Sequence, residues 1–220
     1  MNYNVIHLGQ SIIRYPVPLE IFISINQIYE KNLHNLKKAN KLLIGKIKNE
    51  HSLFNDSEKQ DMEKHNILPS IILKFFMEKF EHYLKVCKVG PANAKLSSIW
   101  INEMKEHEYN PIHIHRGDVF TGLSSVMILK LPSTFGNEYS SKKVPQNGKL
   151  QILGSASGQF AKIDYQPPMH VGDFYIFPYD MRHVVYPFNG TNETRRTLAA
   201  NCDVKYNPII CRGRALEYKI

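Results

Sequence analysis

From residue 92 onward the chain is a succession of short strand-forming segments, each followed by a turn with Gly, Pro or Asn. The segments rich in apolar, β-branched and aromatic residues cover 97–104, 123–131, 150–153, 172–178, 183–186 and 194–204. Short strands separated by turns of this kind are typical of antiparallel sandwiches and barrels. The pattern therefore predicts a mainly β fold for this part of the chain.

The first 92 residues have a different pattern. One or two strands are predicted over 3–14, and a helix is predicted from Leu19, with Ile21, Ile25, Ile28 and Leu36 at helical spacing. A further helical pattern runs through Leu42, Leu43 and Ile47, whereas the polar segment 51–66 is predicted to be a loop or a short helix. A second helix is predicted after Pro69 and is ended by Gly90. We expect one compact domain with a strand and helical support region over 1–92 and a β core over 93–220, because 220 residues suit one domain.

Composition limits the environment and the partners of this chain. No apolar run is long enough to cross a bilayer, and three cysteines without metal-ligand spacing favour a reducing cytoplasm. The net charge of +8 predicts weak attraction to polyanions, but the lysines are dispersed through the chain. We see no aromatic and basic stripe for base stacking, which disfavours but does not exclude a nucleic-acid partner.

The stretch 110–118 carries the residues that point to chemistry. If its start is a strand, His113 and His115 face the same side, and the turn at Gly117 could bring the carboxylate of Asp118 back towards His115. His183, beside a later strand, could complete a site with His115. Two histidines and one carboxylate bind iron and leave coordination positions open, which an oxygen-activating enzyme needs. We favour Asp118 as the third ligand, with His113 or water as alternatives, and Asp118 could instead serve the turn.

A later strand offers a fixed cation. Alternation places Arg195, Thr197, Ala199 and Asn201 on one face, and Arg196 on the other. A guanidinium grips a carboxylate with two parallel hydrogen bonds, so Arg195 could hold a carboxylate-bearing cosubstrate. A slip of one residue in register would exchange Arg195 for Arg196.

Several segments together resemble a known family. They are Trp100-Ile-Asn-Glu-Met, Glu108-Tyr-Asn-Pro-Ile-His-Ile-His-Arg-Gly-Asp, Leu123-Ser-Ser-Val-Met-Ile-Leu-Lys-Leu-Pro, Asp173 with Phe177-Pro178, His183, and Arg195-Arg-Thr-Leu-Ala-Ala-Asn. Over roughly residues 95–204 the chain resembles the 2-oxoglutarate/Fe(II)-dependent dioxygenases common in phage genomes.

The resemblance implies a fold, a cofactor set and roles for residues. It implies a double-stranded β-helix core, that is, a jelly-roll or cupin-like barrel. It also implies Fe(II) held by His115, Asp118 and His183, the cosubstrate 2-oxoglutarate held by Arg195 and Thr197, and ascorbate as a stimulant. His115, His183 and Arg195 would be the catalytic residues.

The implied reaction is hydroxylation of a peptide side chain or a small molecule, with release of succinate and CO2. The protein would act in the cytoplasm, that of the host cell if it is phage-encoded, and its helical part could form a contact between identical subunits.

One departure from the family pattern matters. The wider superfamily has His-x-Asp or His-x-Glu, whereas this chain has His113-Ile-His115 and His115-Arg-Gly117. The second form resembles that of aspartyl/asparaginyl β-hydroxylases, which use two histidine ligands and no carboxylate. The alternative to an enzyme is a non-catalytic jelly-roll protein that binds metal for structure or ligand binding, which would keep His115 and His183 but would not need Arg195.

Overall fold

A computed structural model describes residues 9–39, 45–58, 63–90, 92–139 and 144–206 of the chain. Within these residues two antiparallel sheets, two α-helices and a short 3-10 helix (Leu33–Asn35) make up the regular structure. The predicted mainly β character, with helices in the first part of the chain, is confirmed.

The larger sheet contains eight strands. Along its path it runs in the order β1 (Ile13–Pro16), β10 (Asp173–Pro178), β7 (Gly122–Lys130), β12 (Arg195–Tyr206), β5 (Ala92–Met104), β3 (Asn49–Asn55) and β2 (Lys37–Lys38), and β4 (His65–Asn66) pairs with β3. The smaller sheet runs in the order β6 (Asn110–His113), β11 (Arg182–Val185), β8 (Leu150–Leu153) and β9 (Asp164–Tyr165). Strands from both sides of residue 92 therefore share one sheet.

The two helices, α1 (Leu19–Asn32) and α2 (Ser70–Val86), cover one face of the larger sheet. Phe76 of α2 is fully buried and meets Phe174 of β10 edge to face, with ring centroids 5.4 Å apart. Burying such a side chain contributes about 1.5–3 kcal/mol. The largest cluster of buried apolar residues lies in this layer, which is therefore the main apolar core. The opposite face of the sheet is left for the smaller sheet and for the polar residues between them.

Two expectations for the first part of the chain were wrong. Segment 51–66 was predicted to be a loop or a short helix, but its start belongs to β3, a largely buried strand that pairs with β5, and its end to β4; residues 59–62 lie outside the described residues. In β3 the polar residues Glu50 and Ser52 alternate with His51 and Leu53. A buried strand with one polar face lacks the continuous apolar run by which buried strands are usually predicted. Ile47 is not helical and Leu36 lies beyond α1, whereas Leu42 and Leu43 lie outside the described residues.

In the described part of the chain, neither helix combines the length and the apolar character that crossing a membrane requires.

Candidate metal centre and its cavity

Three histidines meet at one point: two lie on paired strands, and the third follows one of these strands. His113 ends β6 and pairs in register with His183 of β11, while His115 follows β6 and its backbone N–H donates to the carbonyl of Tyr179 at 3.0 Å. Among the described residues, His113, His115 and His183 form the group able to hold a metal ion, with ligand atoms within 4.8 Å of one another. Strand pairing and the strand period of two therefore bring residues 68 positions apart together.

Backbone carbonyls fix how two of these rings are protonated. The Nδ1 of His113 lies 2.7 Å from the carbonyl of Pro111, and the Nδ1 of His183 lies 3.0 Å from the carbonyl of Met181. A carbonyl can only accept, so each Nδ1 carries the hydrogen and each Nε2 keeps its lone pair. Burial lowers the pKa of His113, and burial followed by the neighbouring His113 lowers the pKa of His183 to about 3. Both rings are therefore neutral at pH 7 and suited to bind a metal.

The Nε2 atoms of His115 and His183 face each other at 3.1 Å. Their rings are nearly parallel, at 8°. Imidazole nitrogens lie about 2.0–2.1 Å from a bound zinc ion, so two of them at a right angle on one such ion would be about 3 Å apart. The donor set and its spacing therefore fit a transition-metal ion.

The remaining nitrogen of His115 faces Asn201 of β12. Nδ2 of Asn201 lies 3.4 Å from Nδ1 of His115, and Oδ1 of Asn201 is buried without a hydrogen-bond partner. Because the two amide atoms are interchangeable by rotation, a flipped amide would accept the Nδ1–H of His115 and satisfy both groups. Such a bond would place the hydrogen of His115 on Nδ1 and the lone pair on Nε2, the atom that would bind a metal. Trp100 packs beside the same ring, with centroids 5.8 Å apart.

The carboxylate of Asp118 is directed to a different place. Its Oδ1 accepts hydrogen bonds from the Ser57 hydroxyl at 2.5 Å and from the Glu58 backbone N–H at 2.9 Å. Asp118 is not a member of the histidine group in the described residues. The structure thus brings His115 and His183 together, adds His113 to them, and uses Asp118 to hold segment 57–58.

Asp203 of β12 holds the loop that carries these residues. Its carboxylate accepts hydrogen bonds from the Asp118 N–H at 2.9 Å and from the Tyr179 hydroxyl at 3.1 Å. A β-carbon on Gly117 would lie 1.6 Å from Oδ1 of Asp203, so only glycine permits this close approach. The signal that could have identified Asp203 is an aspartate in an apolar strand, between Cys202 and Val204.

Arg195 is a buried cation, and no carboxylate among the described residues pairs with it. Its side chain is 2% exposed, its Nε has no hydrogen-bond partner, and its terminal nitrogen contacts the sulfur of Met169 at 3.7 Å. Burial lowers its pKa to about 10, so it remains charged at pH 7. Buried charges are normally paired, which makes a missing anion the natural complement of Arg195.

Arg196 points to the opposite face of β12 and is fully engaged there. It forms ion pairs with Glu103 at 2.7 Å and Glu30 at 3.0 Å, and it stacks on the ring of Tyr29. The alternation predicted for β12 is therefore present, and Arg195 rather than Arg196 faces the site.

A cavity of about 870 Å³ joins these groups. It is lined by the three histidines and by the inward-facing residues of β12, which are Arg195, Thr197, Ala199 and Asn201. Cavities of about 300–1,000 Å³ hold drug-sized ligands. This one has room for more than a five-carbon diacid, and sequence reasoning missed the part of its wall that β3 contributes, including Glu50.

A model of a known protein family matches the part of the chain that carries this site. Residues 98–201, which include the three histidines, Arg195 and Thr197, match a family model described as "Putative 2OG-Fe(II) oxygenase". The matched family is that of the 2OG-Fe(II) oxygenases. No curated protein sequence matches the chain.

Several solved structures share the fold of this chain, among them a member of the 2OG-Fe(II) oxygenase family and two prolyl hydroxylases. An oxidoreductase of this family from Burkholderia pseudomallei has a TM-score of 0.57 at 12% identity, covering 87% of this chain and 84% of that chain. A Pseudomonas putida prolyl-4-hydroxylase has a TM-score of 0.55 at 12% identity, with 90% and 93% covered. A prolyl hydroxylase from Trichoplax adhaerens, in complex with a peptide fragment of hypoxia inducible factor, has a TM-score of 0.53 at 10% identity, with 96% and 88% covered.

Proposed function

We propose that this protein is an Fe(II)- and 2-oxoglutarate-dependent dioxygenase that hydroxylates a peptide side chain or a small molecule, releasing succinate and CO2. The observation that carries the proposal is the meeting, in one cavity, of three converging imidazoles and a buried arginine that pairs with no carboxylate in the described part of the chain. A metal-binding protein without turnover would need the histidines only. The proposal includes a double-stranded β-helix core, with the site between its two sheets.

We assign the metal to Nε2 of His115 and His183, with His113 as the third ligand in place of Asp118. The Nδ1–H groups of His113 and His183 are held by backbone carbonyls, so both rings are oriented before a metal binds. Imidazole ligands suit iron as well as zinc, copper and nickel. When bound, Fe(II) with 2-oxoglutarate supplies the activation of dioxygen that an oxygenase needs.

Arg195 would bind the carboxylate of 2-oxoglutarate that is distant from the metal. Its guanidinium is buried, charged and held by the sheet, and Thr197 lies two residues further along the same face of β12. The fork of N–H donors fits a carboxylate, and the Thr197 hydroxyl can add a hydrogen bond. Between these two ends Ala199 leaves space for the carbon chain, and burial keeps water away from it.

Wild-type protein incubated with Fe(II), ascorbate and 2-oxoglutarate is expected to form succinate, and a suitable substrate is expected to increase the rate. Succinate is measured by mass spectrometry, with Zn²⁺ replacing Fe(II) as the control. Absence of succinate together with absence of 2-oxoglutarate binding would contradict the proposal and favour a non-catalytic metal-binding protein.

The third ligand is tested by comparing His113→Ala with Asp118→Asn. We expect His113→Ala to weaken metal binding more than the roughly 10- to 100-fold typical of residues outside the ligand set. Asp118→Asn is expected to stay within that range, because its carboxylate binds Ser57 and Glu58.

The measurement is quenching of tryptophan fluorescence by Co²⁺, which reports on Trp100, the single tryptophan of the chain. A larger loss of affinity in Asp118→Asn than in His113→Ala would reverse the assignment.

A further inference from the structure

The wall of the cavity formed by β3 contains a buried carboxylate that the chemistry above does not use. Glu50 is 5% exposed and lines the same cavity as His115 and Arg195. The indole of Trp100 lies beside it and favours its ionised form, and none of the ion pairs among the described residues involves it. A buried carboxylate without a cation is costly unless a ligand supplies one.

Strand pairing fixes where Glu50 lies. Glu50 of β3 pairs with Asn102 of β5, and Asn102 pairs with Thr197 of β12. Directly paired residues point to the same face, and strands are about 4.8 Å apart, so the backbone of Glu50 is about 10 Å from that of Thr197. Glu50 therefore lies two strands away from Thr197, next to the proposed 2-oxoglutarate position but not within it.

Two hydrogen-bond acceptors lie on the wall of the cavity formed by β3 and β5, Asn102 directly beside Glu50 and Asn55 further along β3, opposite Ser98. Oδ1 of Asn102 and Oδ1 of Asn55 are buried without partners, and both residues line the cavity. The amide of Asn55 is oriented by its Nδ2, which donates to the carbonyl of Glu63 at 3.2 Å. Asn55 is 1% exposed, and no described residue satisfies its oxygen. Acceptors and a carboxylate together select a ligand that carries N–H donors and positive charge.

We infer that the part of the cavity formed by β3 and β5 binds a basic group of the substrate, an amine or a guanidinium, through the carboxylate of Glu50. This inference rests on the proposed function and names the class of substrate that the same site takes. Trp100 lies between the two parts of the site, since it interacts with the carboxyl group of Glu50 and its ring lies beside His115. With its basic group at Glu50, a substrate could extend past Trp100 towards His115 and the proposed metal.

The charge state of Glu50 agrees with this assignment. Burial raises its pKa to about 7, against the hydrogen bond from Trp100, which lowers it. A cation bound beside the carboxylate would favour its ionised form. Arg195 at one end and Glu50 at the other would then direct the acidic cosubstrate and the basic substrate to different positions.

The mouth of the cavity suits a side chain with an apolar stem. Ile114 and Phe120 line it and are 56% and 80% exposed. The carbon stem of a lysine or arginine can pack on such residues while its charged end reaches further in. Free amino acids and peptides share this chemistry, and the experiment separates the two sources.

The test uses binding of defined probes to the full chain loaded with Zn²⁺ and 2-oxoglutarate, followed by Trp100 fluorescence and equilibrium dialysis. The probes are L-lysine, L-arginine and the capped pentapeptides acetyl-Gly-Gly-Lys-Gly-Gly-amide and acetyl-Gly-Gly-Arg-Gly-Gly-amide. Norleucine and citrulline, free and in the same peptides, are the neutral counterparts. We expect at least one basic probe to bind about tenfold or more tightly than its neutral counterpart, as for a charge-assisted hydrogen bond. Preference for the peptide or for the free amino acid identifies the source.

Two variants locate the effect. Glu50→Gln keeps the size of the side chain and removes its charge, so the preference for the basic probe is expected to disappear. Glu58→Gln removes an acid of the cavity margin that is exposed, and it is expected to keep the preference. Equal binding of basic and neutral probes to the wild-type protein would overturn the inference, however the variants fold. An unchanged preference in Glu50→Gln, or an equal loss in Glu58→Gln, would overturn it as well.

Failure of this inference and failure of the proposed function give different results. Without a basic subsite, succinate would still form and Arg195 would still bind 2-oxoglutarate, but the basic probes would show no advantage. Without an oxygenase site, the probes could still distinguish Glu50→Gln from wild type in the metal-free protein, while no succinate would appear.

Discussion

His183→Ala is expected to abolish succinate formation and to weaken metal binding by more than about 100-fold. His183 is 3% exposed, its Nε2 lies 3.1 Å from Nε2 of His115, and its tautomer is fixed by the carbonyl of Met181. Residues outside a ligand set already change metal affinity by about 10- to 100-fold, so loss of a ligand should exceed that range. The measurements are Co²⁺ titration of Trp100 fluorescence and the succinate assay.

The matched control for His183→Ala is His107→Ala. His107 has a side chain that is 59% exposed and contacts the hydroxyl of Tyr139, outside the cavity lining. We expect this variant to keep both metal affinity and activity. Circular dichroism checks whether His183→Ala retains the fold. If the folded His183→Ala variant binds the metal like wild type, the metal centre is not where we place it.

Arg195→Met is expected to remove 2-oxoglutarate binding while leaving the protein as stable as wild type or more stable. Truncating one partner of a buried, hydrogen-bonded charge pair costs about 2–5 kcal/mol, which is about 30- to 5,000-fold in affinity. In the free protein, however, Arg195 is a buried charge that no anion of the described segments neutralises, and an apolar side chain of similar volume avoids its desolvation. Calorimetric titration of the Zn²⁺-loaded protein with 2-oxoglutarate, together with urea unfolding, measures both effects.

Arg196→Met should give the opposite pattern. Arg196 makes ion pairs with Glu103 and Glu30, so its loss leaves Glu103, itself largely buried, without its cation. Breaking such a pair costs about 3–5 kcal/mol in free energy of unfolding, whereas 2-oxoglutarate binding should be kept. Weaker 2-oxoglutarate binding in Arg196→Met than in Arg195→Met would show that the wrong arginine has been assigned to the cosubstrate.

Local patterns in the sequence predicted a large part of this arrangement. The period of two in β12 placed Arg195, Thr197, Ala199 and Asn201 on one face, and in the structure all four line the cavity. The same period predicted that His113 and His115 face one side, and both belong to the histidine group. The prediction for β12 succeeded because a strand repeats its side-chain direction every second residue whatever it pairs with. His115 lies two residues beyond the end of β6, where its backbone N–H donates to the carbonyl of Tyr179.

The same reasoning did not find β3. Glu50 and Ser52 line the cavity and are polar, although β3 is largely buried. The polar residues of β3 and of the segment after it therefore have the composition of a loop. The assignment of Asp118 depended on how a turn would fold back, which its contacts with Ser57 and Glu58 decide. Both questions turn on contacts between residues about 50–60 positions apart, which a local pattern does not contain.

The sequence by itself determined which chemical groups this protein carries. It also determined which residues of β12 share one face and that His113 and His115 point to the same side. Only the tertiary structure decided which groups meet: that His183 pairs with His113, that Asp118 holds segment 57–58, that Arg196 rather than Arg195 has anionic partners, and that Glu50 enters the cavity. The physical reason is that side-chain direction follows from the local backbone period, whereas proximity follows from strand order and register across the whole sheet.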